Sequence, residues 1–432
     1  MHAEMSETMT QIQSLMQSLM GGFAWWSICL IALWPAVEIW RQTRAWRALR
    51  AMPPTPARTV SVERSEHDDD YSSDALSFDG VDVLQPIRSG DVGLGEALAA
   101  SLRALGARGA RLHWLIDEDD IVAGNVVRSL LKKHTSLATY VTVSAHPSCP
   151  SGINPKLFKL DRALAHCAGD TVLILDDDAH LPAATLDALR TALDSDRVTS
   201  PVASTALPAY LPAHGLGARL LARFVNDNAT LTYLPPRLTG GAPTLNGMCW
   251  AMRRDALLRI GGFAPWLRHL TDDLAMAQAV LHAGGRIEQR SEPVWMRTAL
   301  PDFSAYRRQM HRWMLFGLLL LRSQPWSIRL RILFSHGLPM LLPLFALVVF
   351  ACAPSWLGAA ALALGATVHV LGRKRLQRAC AGAATAKAEP LLSLASALLL
   401  PLHALHAMLD RRIQWRTHRY RVYANDRFVD CE

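Results

Sequence analysis

Three groups of carboxylates stand out because of where they fall in the chain. Asp117-Glu118-Asp119-Asp120 and Asp176-Asp177-Asp178 each follow an apolar, β-like run, Arg111–Ile116 and Thr171–Leu175 respectively. Asp272-Asp273 follows Thr271 and opens a stretch with Leu274, Ala277 and Leu281 on one helical face. Like charges held close together repel and raise one another's pKa. A divalent cation relieves that repulsion, and oxygen donors without His or Cys beside them suit Mg2+ or Mn2+. In Asp176 and Asp178, two residues apart at a strand end, the side chains point the same way, which suits one metal shared with a substrate diphosphate. The plainer alternative is that each cluster only caps a helix. Asp272-Asp273 alone reads as such a cap. Beside the other two groups, one of these two carboxylates becomes a candidate general base, and the helix N-terminus there favours its ionised form.

A fourth group is Gln309, Arg312 and Trp313. At i, i+3 and i+4 they share a helix face, and an amide, a guanidinium and an indole make a clamp for a diphosphate and a ring. The alternative is an interfacial helix with Trp at headgroup level. Lys156 is a candidate for positive charge near the phosphates. His67-Asp68-Asp69-Asp70 has no apolar strand before it and reads as a solvated charge run rather than a metal cluster.

The elements that must position these residues alternate. β-like runs at Val81–Ile87, Arg111–Ile116, Tyr140–Val143 and Thr171–Leu175 are followed by helical stretches at 94–105, 121–133, 156–167 and 182–193. That order predicts a mostly parallel, Rossmann-like α/β sheet whose ligands bind at the C-terminal strand ends. The acidic groups fall at those ends.

Apolar segments flank this unit. Gly21–Trp40 is apolar except for Glu38, and twenty helical residues rise about 30 Å, one hydrocarbon thickness. No cleavage site follows it, so it reads as an uncleaved anchor. Arg41, Arg44, Arg47 and Arg50 come next, while residues 1–20 carry no Lys or Arg, which puts the following domain in the cytoplasm. Leu333–Gly372 holds 40 residues without Asp, Glu, Lys or Arg, enough for two crossings with a turn at Ala353-Pro354-Ser355. Pro390–Leu409 is a third uncharged run with basic flanks on both sides, which predicts a re-entrant or interfacial hairpin kinked at Pro401. The expected divisions are an N-terminal segment (1–20), an anchor (21–40), a basic then acidic linker (41–80), a catalytic domain (81–305), amphipathic interfacial helices (306–332), C-terminal membrane segments (333–409) and a basic cytosolic tail (410–432).

Composition agrees. The 432 residues are 50% apolar and 19% charged, below the roughly 25% charge of soluble proteins, and mean hydropathy is positive. This excludes global disorder and a purely soluble enzyme. A net charge of +8 fits anionic headgroups or a nucleotide and is too scattered for nucleic acid. Seven separated cysteines with no CxxC pair argue against a disulfide framework or structural zinc.

The ordered set of motifs resembles processive-type family 2 glycosyltransferases, and still more the ceramide glucosyltransferases of family 21. Supporting stretches are Val81–Pro86, Gly152–Lys156, Asn246–Cys249 with Met252-Arg253, Gly261-Gly262, Met276-Ala277 and the tail Ile413–Arg421. The likeness spans roughly 81–322 and the far C-terminus. It implies a GT-A fold that binds a UDP-sugar. Asp117 then lies near the uridine, with Asp119 and Asp177 also on the donor. Asp176 and Asp178 hold the metal and diphosphate, Asp273 is the base, and Gln309, Arg312 and Trp313 bind the donor. Asn226-Asp227-Asn228 stands in the region where the animal enzymes carry a His-Pro pair. The expected reaction moves glucose from UDP-glucose to the primary hydroxyl of ceramide, with inversion, at a multi-pass bacterial inner-membrane protein whose catalytic domain faces the cytoplasm. One alternative is transfer from a UDP-sugar, with N-acetylglucosamine among the candidates, to a hopanoid or other membrane lipid. Another is a cation-binding membrane scaffold without activity. Too few membrane segments exist for a polysaccharide channel.

Overall fold

The structure, a computed structural model, describes residues 2–52, 76–194, 202–211, 214–297, 299–382, 389–415 and 418–431. The His67–Asp70 run, with most of the linker, lies outside the described residues.

The sheet begins as the alternating pattern predicts. Strands β1 (Val81–Pro86), β2 (Arg111–Asp117), β3 (Val141–His146) and β4 (Thr171–Leu175) pair in parallel, in the order β3-β2-β1-β4. Between them run α2 (Leu94–Ala104), α3 (Ile121–Lys133) and α4 (Pro155–Leu164), and α5 (Ala183–Asp194) follows β4; α1 is the helix His2–Arg50. Both faces of the sheet are covered, and side chains alternate between them. Leu173 and Leu175 join the core under α2, α3 and α5 with Val83, Leu112 and Trp114. Val172 and Ile174 join the opposite core with Leu115 and, from α4, Leu157 and Leu160.

The second half of the sheet is mixed. After the short β5 (Ala179–His180) come β6 (Val202–Tyr210), β7 (Cys249–Arg253) and β8 (Arg286–Met296), giving β3-β2-β1-β4-β7-β6-β8-β5. Here β6 and β8 pair in parallel, and β7 is antiparallel to both β4 and β6. Helices α6 (Leu216–Tyr233), α7 (Arg254–Arg259) and α8 (Asp272–His282) fill the connections. At the sheet end remote from the acidic groups, Asp82 is a buried scaffold carboxylate. It accepts from Arg111 Nε (2.8 Å) and the backbone N–H groups of Ala168 (2.9 Å) and Gly169 (2.6 Å), and pairs with His113 at 2.9 Å.

Next are α9 (Phe303–Ser323), α10 (Trp326–Ile332) and α11 (Leu338–Cys352), the last two joined by a π-helical turn at Leu333–Gly337. Then come α12 (Trp356–Ala381) and α13 (Pro390–Leu409). Among the described residues, three helical stretches are long and apolar enough to cross a membrane: Trp326–Cys352, Trp356–Ala381 and Pro390–Leu409. The turn at Ala353–Ser355 falls where two crossings require it. The hairpin expected around Pro401 is corrected: α13 runs through that proline as a single 20-residue helix. The break is avoided because α13 packs along its length. Leu400 shares a core with Tyr306 and Met310 of α9, and His403 Nε2 lies 3.0 Å from the Tyr306 hydroxyl.

The basic tail is also more than a tail. It forms a three-stranded antiparallel sheet of β9 (Arg412–Trp415), β10 (His418–Ala424) and β11 (Arg427–Asp430). Ile413, Tyr420 and Val422 pack with Leu270 and Leu274 at the start of α8 and with Leu315 and Leu319 of α9.

Candidate active site

Side-chain alternation delivers the acids to one place. Residues 172 and 174 of β4 face α4, so Asp176, next in that series, faces α4 as well. Residue 115 of β2 faces the same way, so Asp117 does too. Helix α4 answers with two lysines at i and i+3. Lys156 Nζ lies 2.7 Å from Asp176 Oδ1, 2.9 Å from Gly247 O and 2.8 Å from Asp272 Oδ2. Lys159 Nζ donates to Asp117 Oδ2 at 3.1 Å and to Ile87 O at 2.9 Å. The start of α4 is fixed by Asn154, whose Oδ1 accepts from Lys156 N–H at 2.9 Å, with Pro155 in the first turn.

A third cation, Arg88, comes from the loop after β1. Its Nη1 donates to Asp117 Oδ2 at 2.9 Å, and its backbone N–H donates to Asp177 Oδ2 at 2.7 Å. Sequence reasoning missed Arg88 and Lys159. Arg88 follows a strand end, as the acids do, and that position was its one available signal.

One cavity of about 1650 Å³ collects the acids. It is lined by Asp117, Asp176, Asp177, Asp178, Asp272 and Asp273, and also by Lys156, Gln309, Arg312 and Trp313. Arg312 Nη2 donates to Gln309 Oε1 at 2.8 Å, and Trp313 packs against Phe224 and Tyr210. Two of the expected donor residues are placed differently from the rest. Asp119 is exposed and does not line the cavity, because β2 ends at Asp117 and Asp120 turns back to cap α3. Lys156 lines the cavity, is hydrogen-bonded to Asp176 Oδ1 and Gly247 O and ion-paired with Asp272 Oδ2, and so ties the second acidic group to the third.

The electrostatics show crowded negative charge. Burial opposes the charge on Lys156, but Asp176 and Asp272 outweigh it and hold that ammonium above the ordinary lysine range. Burial pushes Asp176 up; Lys156 pulls the other way and Asp272 adds to the rise. Asp273 is pushed up to about 7, first by burial and then by Asp272, against the backbone N–H of Leu274, which donates to its Oδ1 at 2.7 Å. Burial and Asp272 thus work against the helix N-terminus, which on its own favours the ionised form. The facing acids are all hard oxygen donors, and Lys156 alone leaves their repulsion incompletely neutralised. That set fits a hard divalent cation. All seven cysteines are free.

The model of Glycosyl transferase family 21 matches residues 30–428. The chain belongs to that family. As a family 21 member it is a nucleotide-sugar-dependent glycosyltransferase, with a GT-A-like α/β domain, an N-terminal helix and three long apolar C-terminal helices. Among solved structures, the mannosyltransferase PcManGT from Pyrobaculum calidifontis, in complex with GDP-Man and Mn2+, is 18% identical with a TM-score of 0.49; the match covers 90% of this chain and 98% of that one. Glucosyl-3-phosphoglycerate synthase from Mycobacterium tuberculosis, in complex with Mn2+, UDP and phosphoglyceric acid, is 17% identical with a TM-score of 0.31, covering 54% and 77%. A search of the curated proteins finds no match.

Proposed function

We propose that this family 21 enzyme transfers glucose from UDP-glucose to the primary hydroxyl of ceramide, with inversion, at the membrane surface. The supporting observation is the continuity of the cavity. It reaches from the strand-end carboxylates to Met340 and Pro343 of α11, His369 and Arg373 of α12, and Ser396, Leu400 and Met408 of α13. An acceptor lying among apolar helices can thus bring its hydroxyl to Asp273 without leaving them. Lining of this kind suits a lipid and has no use for a soluble sugar.

In this reading Asp176 and Asp178 hold Mg2+ or Mn2+, which when bound supplies Lewis-acid stabilisation of the departing diphosphate. Asp117 and Asp177 shape the nucleoside end, with Arg88 and Lys159 fixing Asp117. Gln309, Arg312 and Trp313 hold the diphosphate and ring. Asp273 accepts the acceptor's hydroxyl proton as that oxygen bonds to the anomeric carbon. The anomeric carbon–oxygen bond breaks, and its electron pair leaves on UDP. A pKa of about 7 matches a base that works near neutral pH.

The test is incubation of the membrane-embedded protein with UDP-glucose and ceramide, with mass spectrometry of the product. Glucosylceramide is expected. A product built only on a hopanoid or another polyprenyl-derived lipid, or one carrying N-acetylglucosamine, would replace this assignment. No UDP release with any lipid extract would favour the scaffold reading.

A further inference from the structure

The segment that carries the acceptor-side carboxylates is held from two directions by asparagines far away in sequence. On one side stands Asn154, almost fully buried. Its Nδ2 donates to the carbonyls of His269 (3.0 Å) and Leu270 (2.9 Å), and its backbone N–H donates to Leu267 O at 2.8 Å. On the other side stands Asn425, in the turn between β10 and β11. Its Oδ1 accepts from the Thr271 N–H at 2.8 Å and from the Thr271 hydroxyl at 2.7 Å. Its backbone carbonyl accepts from Leu270 N–H at 2.7 Å, and its Nδ2 donates to Thr271 O at 3.4 Å.

These contacts account for the backbone polar groups of residues 270 and 271, the last two before α8. They also explain a local oddity. Thr271 is the N-cap residue of α8, yet its side chain makes no capping bond to that helix. Thr is ordinarily used at this place to satisfy a free N–H of the first turn. Here the hydroxyl is turned away to Asn425. The helix start is therefore aimed by the C-terminal sheet and not by its own cap, and Asp273 is the second residue of that helix.

We propose that Asn425, together with Asn154, is a positioning residue for the base: the C-terminal sheet clamps Leu270-Thr271 so that the Asp273 carboxylate keeps one orientation in the cavity. This rests on Asp273 being the base. A carboxyl group is a planar acceptor whose reach to a substrate proton is set within a fraction of an ångström, and a misplacement of about 1 Å can cost on the order of 100-fold.

The experiment compares Asn425→Ala, Asn425→Asp, Thr271→Val and Asp273→Asn in the full-length, membrane-embedded protein, using UDP-glucose and lipid acceptor. It records kcat, donor KM and the thermal unfolding midpoint. Asn425→Ala loses the Oδ1 acceptor and is expected to lower kcat about 10- to 100-fold with donor KM little changed. Asn425→Asp keeps that acceptor and is expected to recover most of the rate, a rescue that bulk packing does not predict. Thr271→Val removes the hydroxyl donor alone and should fall between; it decides the matter if Asn425→Ala does not fold. Wild-type kcat in Asn425→Ala, or in Thr271→Val where that variant decides, overturns the clamp. So does a loss of donor affinity and thermal stability that tracks the loss of rate and is shared by Asn425→Asp, since that describes a prop for the fold. An inactive Asp273→Asn beside a fully active Asn425→Ala overturns the clamp alone, whereas an active Asp273→Asn overturns the base assignment beneath it.

Discussion

Asp273 carries the sharpest consequences at the level of single residues. Its raised pKa means that the rate should fall about tenfold per pH unit below about 7, as the base takes up its proton. Asp273→Asn should cut transfer by about 10²- to 10⁴-fold while UDP binding survives. The same shift works against the fold. A carboxyl whose folded pKa lies above its ordinary value of 3.8 contributes stability below that value, and this is lost as pH rises through about 7. Asp273→Asn should therefore melt higher than the wild type at pH 8, with the gap closing toward pH 4; a lower melting point at pH 8 would contradict the desolvated carboxyl. Asp272 is a cause of the shift and the partner of Lys156. Asp272→Asn should move the acid limb of the pH–rate profile to lower pH and leave substantial activity at pH 8. A dead Asp272→Asn beside an active Asp273→Asn would reverse the two roles. Metal removal tests the remaining acids. Chelation should abolish turnover and Mg2+ or Mn2+ restore it, and full rate in excess EDTA would exclude the two-aspartate metal site.

At the level of elements, Gly247 shows how tightly the base is boxed. It sits in the loop before β7, at an ordinary φ, and a Cβ there would come within 3.2 Å of Asp273 Oδ2 and 3.3 Å of its Cγ. Gly247→Ala should thus displace the carboxylate and lower kcat without a matching rise in donor KM, which steady-state kinetics can separate. The elements also show what could be read in advance. β1 to β4 and α2 to α5 fall within a few residues of the expected bounds, because β1, β2 and β4, buried on both faces, give short apolar runs and the intervening helices carry their own periodicity. β6 to β8 also have helices between them, but the pattern is harder to read: β6 contains Pro208, and β7 pairs antiparallel to both neighbours. The acids were legible because each stands at a strand end. Asn425 was not, since its partner Thr271 is 154 positions away, and no local pattern encodes that separation. Nor was the uninterrupted path of α13, because Pro401 breaks a helix only where packing fails to hold it.

At the level of the whole molecule, the polar end of the helix bundle fastens the first part of the chain to the last. Glu38 of α1 is buried beside two guanidiniums: Arg373 Nη2 of α12 at 2.6 Å and Arg41 Nη1 at 3.5 Å. Arg373 also donates through Nη1 to Asp227 O and Asn228 Oδ1 of α6, both at 2.9 Å, so the domain's own helix is tied into the same knot. The stoichiometry makes an unequal prediction. Arg373→Gln removes three hydrogen bonds but leaves Glu38 beside Arg41, a balanced pair. Glu38→Gln removes one carboxylate and leaves two buried cations facing each other. Breaking a buried pair by deleting one partner costs about 3–5 kcal/mol, mostly from the uncompensated charge left behind. Glu38→Gln should therefore lower the unfolding midpoint in detergent more than Arg373→Gln does, although it removes fewer hydrogen bonds. Because α1, α6 and α12 meet at this point, the loss should appear as one transition in which the catalytic domain and the bundle unfold together. If Arg373→Gln proved the more damaging, hydrogen-bond count rather than charge balance would govern the junction.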